Sequence, residues 1–439
     1  MAALTYEAAL EALADRGRFG IRLGLGRTRA LLRELGDPQR SVRGALVAGT
    51  NGKGSVLALA GSALQAAGYR VATTPKPHLV SYRERLQIDG RPVDPVTFAR
   101  LVDEILPVAD RVARRHGDPT EFELLTAVVF RWFAEEQPDV ALVEVGLGGR
   151  LDATHAWDGG VAAITNVALD HMEQLGPTVE AIAREKAAII ERGDVAVTGA
   201  IGPALAIVRR RARRLGVPLT VVEPAPLLGW DRNGIDVELP RLGRTQVGLR
   251  GRHQAANVAV ADAVLDALEV AGIVTTPPAA RRTGYGRAVW PGRLELVRAA
   301  GHDVLLDGAH NPAGAGALAE AVGDLRPFLD AGRVTLVLGA MADKDVDGII
   351  SALASEPSLA SARVIATAVQ APRALPADTL AERWRALVPS GAVEAIAAPG
   401  AALERAVGDT TGPVVVAGSL YLVGEVRSRI VDDPDLRDG

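Results

Sequence analysis

The 439-residue chain has no cysteine, and of its 49 basic residues only Lys53, Lys76, Lys186 and Lys344 are lysine, leaving 45 arginines. The first absence excludes a disulfide framework, a thiolate metal site and thiol chemistry. The second asks of each remaining lysine what a primary amine does that a guanidinium cannot. A net charge of -4 argues against a scaffold that holds nucleic acid on a basic face. No apolar run approaches the roughly 18 residues of a membrane span, and Met1 to Leu23 mixes Glu7, Glu11, Asp15, Arg16 and Arg18 into its apolar residues, so it lacks a secretory core. These features predict a cytoplasmic monomer with small-molecule partners, no nucleic acid and no membrane.

What is present is an alternation of short apolar runs and longer helical patterns, the signature of βαβ units and parallel sheets. Strands are expected at 45–48, 70–74, 140–145, 161–167, 195–198 and 218–222, with helices at 56–67, 95–116, 123–136, 178–191 and 254–271. A second series has strands near 303–307, 334–338, 363–366 and 413–417, and helices at 314–325, 377–387 and 401–406. The segment Ala288 to Val297 carries a Pro-Gly turn and separates the two series. The division is placed at residues 1–295 and 296–439.

The first strand runs into Gly49-Thr50-Asn51-Gly52-Lys53-Gly54-Ser55 and then a helix. Glycines there let backbone N–H groups converge on phosphate, Lys53 adds a point charge, and Ser55 offers a hydroxyl to phosphate or Mg²⁺. Val47 in place of glycine, and Gly54 between Lys53 and Ser55, depart from the strict P-loop pattern. The plain alternative is an ordinary strand-to-helix turn. Glu144 lies at the carboxyl end of the strand at 140–145, where α/β sheets bind ligands and a carboxylate can hold Mg²⁺. Alone it reads as a surface carboxylate, but the turn Gly146-Leu147-Gly148-Gly149-Arg150-Leu151-Asp152 implies close backbone approach to a ligand. Asp170-His171 follows the next strand, and His171 is either structural or a second cation ligand. Lys186 lies on an apolar helix beside Glu185. It is either a snorkelling lysine or a buried amine that takes up CO₂ as a carbamate, which arginine cannot do. The architecture predicted is α/β: a P-loop ATPase domain with a mostly parallel sheet, plus a smaller Rossmann-like C-terminal domain.

In order, GTNGKGS (49–55), PHLVSYRERLQIDG (77–90), EFELLTAVVF (121–130), VEVGLGGRLDAT (143–154), ITNVALDHMEQLG (164–176), EKAAII (185–190), GRHQAANVAVA (251–261), PGRLE (291–295), DGAHNPAG (307–314) and GSLYLVGE (418–425) resemble the folylpolyglutamate synthase and dihydrofolate synthase family, a branch of the Mur ligases. The resemblance implies that Gly49 to Ser55 cradle the ATP phosphates and that Ser55, Glu144, His171 and carbamylated Lys186 hold one or two Mg²⁺ ions. Asn257 is implied to contact adenine, and Arg293 and Asp307 to add further ATP contacts. Glu121, Phe122, Glu123, Leu151, Asp152 and Ala153 fall in stretches that meet the pterin, and His310, Ser419 and Tyr421 face the incoming glutamate. One departure stands out. Where the family carries a serine that ligates Mg²⁺, this chain has Lys76. An ammonium cannot ligate a cation, so Lys76 either replaces the charge of one metal or points away, leaving the oxygen to Ser55 or Thr74. Lys344, flanked by Asp343 and Asp345, reads as a member of a local charge cluster.

The reaction implied is ATP-dependent joining of glutamate to a pteroate or folate carboxylate through an acyl phosphate, with closure of the two domains about residues 288–297. Lys53, Lys186, His310 and Asp307 are the candidate catalytic groups, the last two as bases. The rivals are a Mur-type ligase with a different carboxylate acceptor, a non-catalytic nucleotide switch, and a relative diverted to an unusual pterin or aromatic acid.

Overall fold

The computed structural model describes residues 4–17, 22–371, 373–389 and 391–436; residues 1–3 and 18–21, within the segment read above for a leader, lie outside them. By packing, the chain divides into two compact units, Met1–Ala225 with Ala256–Arg287 and Asp435–Gly439, and Pro226–Ala255 with Ala288–Pro434. Among the described residues no helix is long and apolar enough to cross a membrane.

The first unit is built on an eight-stranded sheet of β1 (Gly44–Ala48), β2 (Val71–Thr74), β3 (Gln87–Ile88), β4 (Arg91–Pro92), β5 (Val140–Glu144), β6 (Gly160–Ile164), β7 (Val195–Thr198) and β8 (Leu219–Val221). Their order is β4-β3-β2-β5-β1-β6-β7-β8. All neighbours from β2 to β8 run parallel, while β3 and β4 extend the edge antiparallel. Every residue of β1 and β5 is buried, which is why these strands read as continuous apolar runs without alternation. The chain lays β2 and β5 on one side of β1 and β6 to β8 on the other. The carboxyl end of β1 is therefore a switch point, where open α/β sheets receive ligands.

Helix boundaries follow local chemistry. Asp94 accepts a hydrogen bond from the Thr97 N–H and Pro95 occupies the first turn of the helix Pro95–His116, which ends at Gly117. Phe98 and the aromatic group Phe130, Phe133 and Trp157 fill the space beneath, each with 2% exposure or less. Burying one such ring contributes roughly 2–3 kcal/mol.

The second unit holds a three-stranded antiparallel sheet, β9 (Leu227–Asp231), β10 (Gly234–Leu239) and β11 (Gly243–Val247), and a six-stranded sheet. The latter comprises β12 (Glu295–Ala299), β13 (His302–Leu306), β14 (Thr335–Leu338), β15 (Arg363–Ala366), β16 (Ala392–Ala395) and β17 (Val414–Ala417), in the order β12-β13-β17-β14-β15-β16. Only β12 runs antiparallel. Each six-stranded-sheet strand named in the sequence reading is present, within a residue or so.

Two features differ from the sequence reading. The segment 288–297, expected to separate the two series, supplies the first residues of β12 in the second sheet. Residues 226–255, read as part of 1–295, pack with the second unit. The strands β9 to β11 are short, partly exposed and joined by tight turns with no helix between them, so they carry no βαβ pattern.

Candidate active site

The loop after β1 enters the helix Lys53–Ala66 through Gly52, whose φ is +82°. A Cβ at Gly52 would lie 2.2 Å from Asn257 Oδ1, so only glycine allows the loop to turn against the helix Gln254–Val270. A second brace comes from the segment after β6. Asn166 Oδ1 accepts from the Asn51 N–H at 2.9 Å, Thr165 Oγ1 donates to Asn51 O at 2.6 Å, and Thr50 Oγ1 lies 3.1 Å from Ala168 O and 3.0 Å from its N. These partners are more than a hundred residues away in sequence. None was a candidate in the sequence reading, although they sit in the ITNVALDH string.

Two lysine side chains meet on one carbonyl. Lys53 Nζ donates to Gly49 O at 3.1 Å and to Thr50 O at 3.2 Å, and Lys186 Nζ donates to the same Gly49 O at 2.9 Å. Lys186 is 5% exposed, and burial, reinforced by the Lys53 charge, pushes its pKa down to about 7. At neutral pH a large share of this amine is therefore unprotonated and nucleophilic. The side chain is buried rather than snorkelling. Gly149 provides the space beside it, since a Cβ there would meet Glu185 O and Ile189 at 2.8 Å.

Glu144 closes the other side. Its carboxylate is buried, Oε1 lies 3.9 Å from Lys53 Nζ, and Oε2 accepts from the Lys76 N–H at 2.9 Å. The Lys76 side chain does not point into solvent. Its Nζ donates to Glu144 O at 2.6 Å and lies 5.2 Å from the centre of the Phe122 ring. Burial lowers its pKa to about 8, a shift that the carboxylates of Asp152 and Glu144 oppose. Thr74 Oγ1 is buried nearby with no hydrogen-bond partner, in the wall of a small cavity that Lys76, Phe122, Thr126 and Thr154 also line. Ser55 is buried at the first turn of its helix. His171 stands at φ +49°, with 42% of its side chain exposed and Nε2 3.9 Å from Asp170 Oδ2. Among the described residues, no group of three or more His, Asp or Glu side chains is gathered closely enough to hold a metal alone. A cation at Glu144 therefore needs oxygens from other sources, such as Ser55 and phosphate.

The stretches expected to meet a pterin divide into two kinds. Glu123 is 2% exposed, and its carboxylate accepts from the Thr120 N–H and Oγ1 and from Arg27, forming a capping box for the helix Glu121–Glu136. Asp152 accepts from the N–H groups of Leu147 and Thr154, fixing the glycine-rich turn ahead of Ala153. These two carboxylates shape the site from within. Glu121 and Phe122 are only partly buried; Glu121 accepts from the Tyr82 hydroxyl at 2.7 Å, and the Tyr82 ring packs against His78 at a tilt of 40°. Leu151 is also only partly buried.

In the second unit the carboxyl ends of β13 and β17 are adjacent. Asp307 caps a turn, accepting from the N–H groups of Leu294 and Ala309 at 2.9 Å. Burial raises its pKa, and the guanidinium of Arg293 opposes that shift. His310 Nδ1 lies 2.8 Å from Gly308 O. A carbonyl only accepts, so Nδ1 carries the hydrogen. Ser419 caps the helix Leu420–Ile430, and Tyr421 is 53% exposed. Of the carboxylates beside Lys344, Asp343 pairs with Arg373 and Asp345 caps the helix Val346–Leu353.

Comparison with known proteins agrees with this geometry. Residues 47–223 match the Mur ligase middle domain and residues 292–420 the Mur ligase glutamate ligase domain. The dihydrofolate synthase/folylpolyglutamate synthase of Bacillus subtilis is 36% identical over 359 residues, covering 79% of this chain and 82% of that protein. A crystal structure of Mycobacterium tuberculosis folylpolyglutamate synthase complexed with ADP and AMPPCP superposes with a TM-score of 0.87 at 32% identity, covering 98% of this chain and 99% of that one. The Yersinia pestis bifunctional synthase, complexed with AMPPNP and a Mn ion, gives 0.81 at 31% identity, covering 97% and 98%.

Proposed function

The chain belongs to the dihydrofolate synthase/folylpolyglutamate synthase family, and from that premise we propose that it is an ATP-dependent ligase joining L-glutamate to dihydropteroate, to reduced folates, or to both, through an acyl phosphate. The observation that carries this reading is the convergence of Lys53 and Lys186 on Gly49 O beside Glu144, at the switch point of the sheet.

In this reading the first unit binds ATP and the acceptor, and the second binds glutamate. Gly49 to Ser55 cradle the phosphates, with Asn257, Arg293 and Asp307 as further ATP contacts. Lys53 offsets the charge that develops as the acceptor carboxylate attacks the γ-phosphate in line and ADP leaves. A divalent cation fits at Glu144: the carboxylate is buried near the carboxyl end of the sheet, Ser55 offers a hydroxyl in the first turn of the helix after the loop, and Thr74 Oγ1 is a buried oxygen without a partner. When bound, Mg²⁺ screens phosphate charge and orients the triphosphate. His171 and a carbamate on Lys186 are its further proposed ligands. That carbamate forms as the free amine attacks CO₂ and releases one proton, and the lowered pKa of Lys186 supports it. Lys76 turns its ammonium inward onto Glu144 O, which favours replacement of one metal's charge over a solvent-facing side chain.

Glu121, Phe122, Leu151 and Ala153 contact the pterin end of the acceptor, while Glu123 and Asp152 fix their positions. The glutamate amine attacks the acyl carbon, and phosphate leaves from the tetrahedral intermediate. His310 Nε2 is suited to take the amine proton, with Asp307 holding the turn and Ser419 and Tyr421 binding the glutamate. The test is ADP release by purified protein with Mg-ATP and glutamate, comparing dihydropteroate with tetrahydrofolate. Glutamate-dependent release with at least one acceptor is expected. Release with neither, in protein whose Lys53→Ala variant has lost nucleotide binding, would contradict the assignment.

A further inference from the structure

At the opposite end of β1 from the nucleotide loop lies a hollow of about 500 Å³, within the size range of small-ligand sites. Arg43 immediately precedes β1 and Asp158 lies just before β6, so a full strand, roughly 15 Å at 3.3 Å per residue, separates the hollow from Gly49. Arg29, Arg33, Arg40 and Arg43 surround it, against the carboxylates of Asp37 and Asp158.

The helix Gly26–Glu34 that supplies two of these arginines treats its charges unequally. Arg27 pairs with Glu123, and Glu34 pairs with Arg111. Arg29 and Arg33, one turn apart on the same face, make no side-chain hydrogen bond or ion pair among the described residues. Like charges at that spacing repel and weaken a helix unless something neutralises them. Arg40 reaches Asp37 only at 3.7 Å, and Arg43 donates to a carbonyl oxygen, Ala271 O. In the wall, Gln39 is 8% exposed, and its amide is oriented by donating to Asp37. Its Oε1 is buried with no hydrogen-bond partner. The hollow thus presents uncompensated guanidinium forks, which match phosphate geometry, while Gln39 Oε1 can meet only a donor, such as a water or a ligand hydroxyl.

We infer that this hollow is a second binding site, for a small ligand carrying a pyrophosphate group, either free or as part of a nucleoside diphosphate. The inference does not depend on which acceptor the ligase uses.

Calorimetric titration tests it with three probes: ADP, inorganic pyrophosphate and adenosine. The wild-type protein should bind two equivalents of ADP. Lys53→Ala should keep the class of site that the Arg29→Ala/Arg33→Ala double variant loses. Pyrophosphate should compete for that class and adenosine should not. If ADP binds there at least tenfold tighter than pyrophosphate the ligand is a nucleotide; similar affinities make it the free anion. The double variant should keep its melting temperature and turn over within about twofold of wild type in the absence of added ligand. Arg29→Lys/Arg33→Lys, which keeps the charge but loses the fork, should bind at least tenfold more weakly than wild type. A single class of ADP site in the wild type, or two classes surviving in the Arg29→Ala/Arg33→Ala protein, would overturn the inference.

Discussion

The two units present the carboxyl ends of parallel strands in different chemical dress. In the first, three lysines stand at those ends: Lys53, Lys76 and Lys186 all turn inward onto backbone carbonyls, and burial lowers the pKa of the last two. In the second, beside β13 and β17, arginines face carboxylates: the Arg293 charge acts on Asp307, and Arg427 pairs with Glu295. Arginine stays protonated in either setting and serves as a fork. A lysine amine can lose its proton, react with CO₂ or act as a compact charge. In a chain with 45 arginines, three of the four lysines stand where those properties matter.

This contrast is broken most severely at Lys53. Lys53→Ala should reduce ADP affinity by two orders of magnitude or more, about 3 kcal/mol, measured by calorimetry. Next, Lys186→Ala should lower turnover at least a hundredfold, and short carboxylates should restore part of it; full activity in that variant would reject the carbamate. Lys76→Ser sharpens the comparison without abolishing it. Counted by Mn²⁺ resonance in the presence of AMPPNP, the wild type should hold one ion and the variant two, and equal counts would remove Lys76 from the metal's place. In the second unit, His310→Ala should lower glutamate-dependent turnover about tenfold to a hundredfold while leaving ADP affinity unchanged.

The smallest effect concerns stability. Asp194 is 3% exposed with an unpartnered Oδ1, and burial together with Asp158 pushes its pKa up to about 7. A raised carboxyl pKa in the folded state means the folded protein is penalised as that proton is lost. The penalty is absent below about pH 4, grows towards pH 7 and is complete above it. Asp194→Asn should therefore raise the melting temperature at pH 8 and change it little at pH 4.

Local patterns marked the glycine-rich loop after β1, Glu144 near the end of β5 and the apolar surround of Lys186, because each depends on residues close in sequence and on strand periodicity; whether Lys186 snorkels or is buried depends on its contact with Gly49 O, far away in the chain. The braces at Thr165, Asn166 and Ala168 were not visible, since their hydrogen bonds join segments far apart in the chain. The internal capping roles of Glu123 and Asp152 were hidden for a related reason: a carboxylate in a candidate pocket looks the same in sequence whether it faces a ligand or an N–H group. The sequence around Lys76 allows either direction of its side chain; Glu144 O and the Phe122 ring, both distant in the chain, set it. Strands β9 to β11 were missed because short, half-exposed strands without intervening helices carry neither period strongly.

The acyl phosphate is the central claim, and isotope transfer tests it most directly. With acceptor labelled by ¹⁸O in the carboxylate that is joined, one labelled oxygen should appear in the phosphate released with each amide formed. Amide formation with unlabelled phosphate would contradict the account.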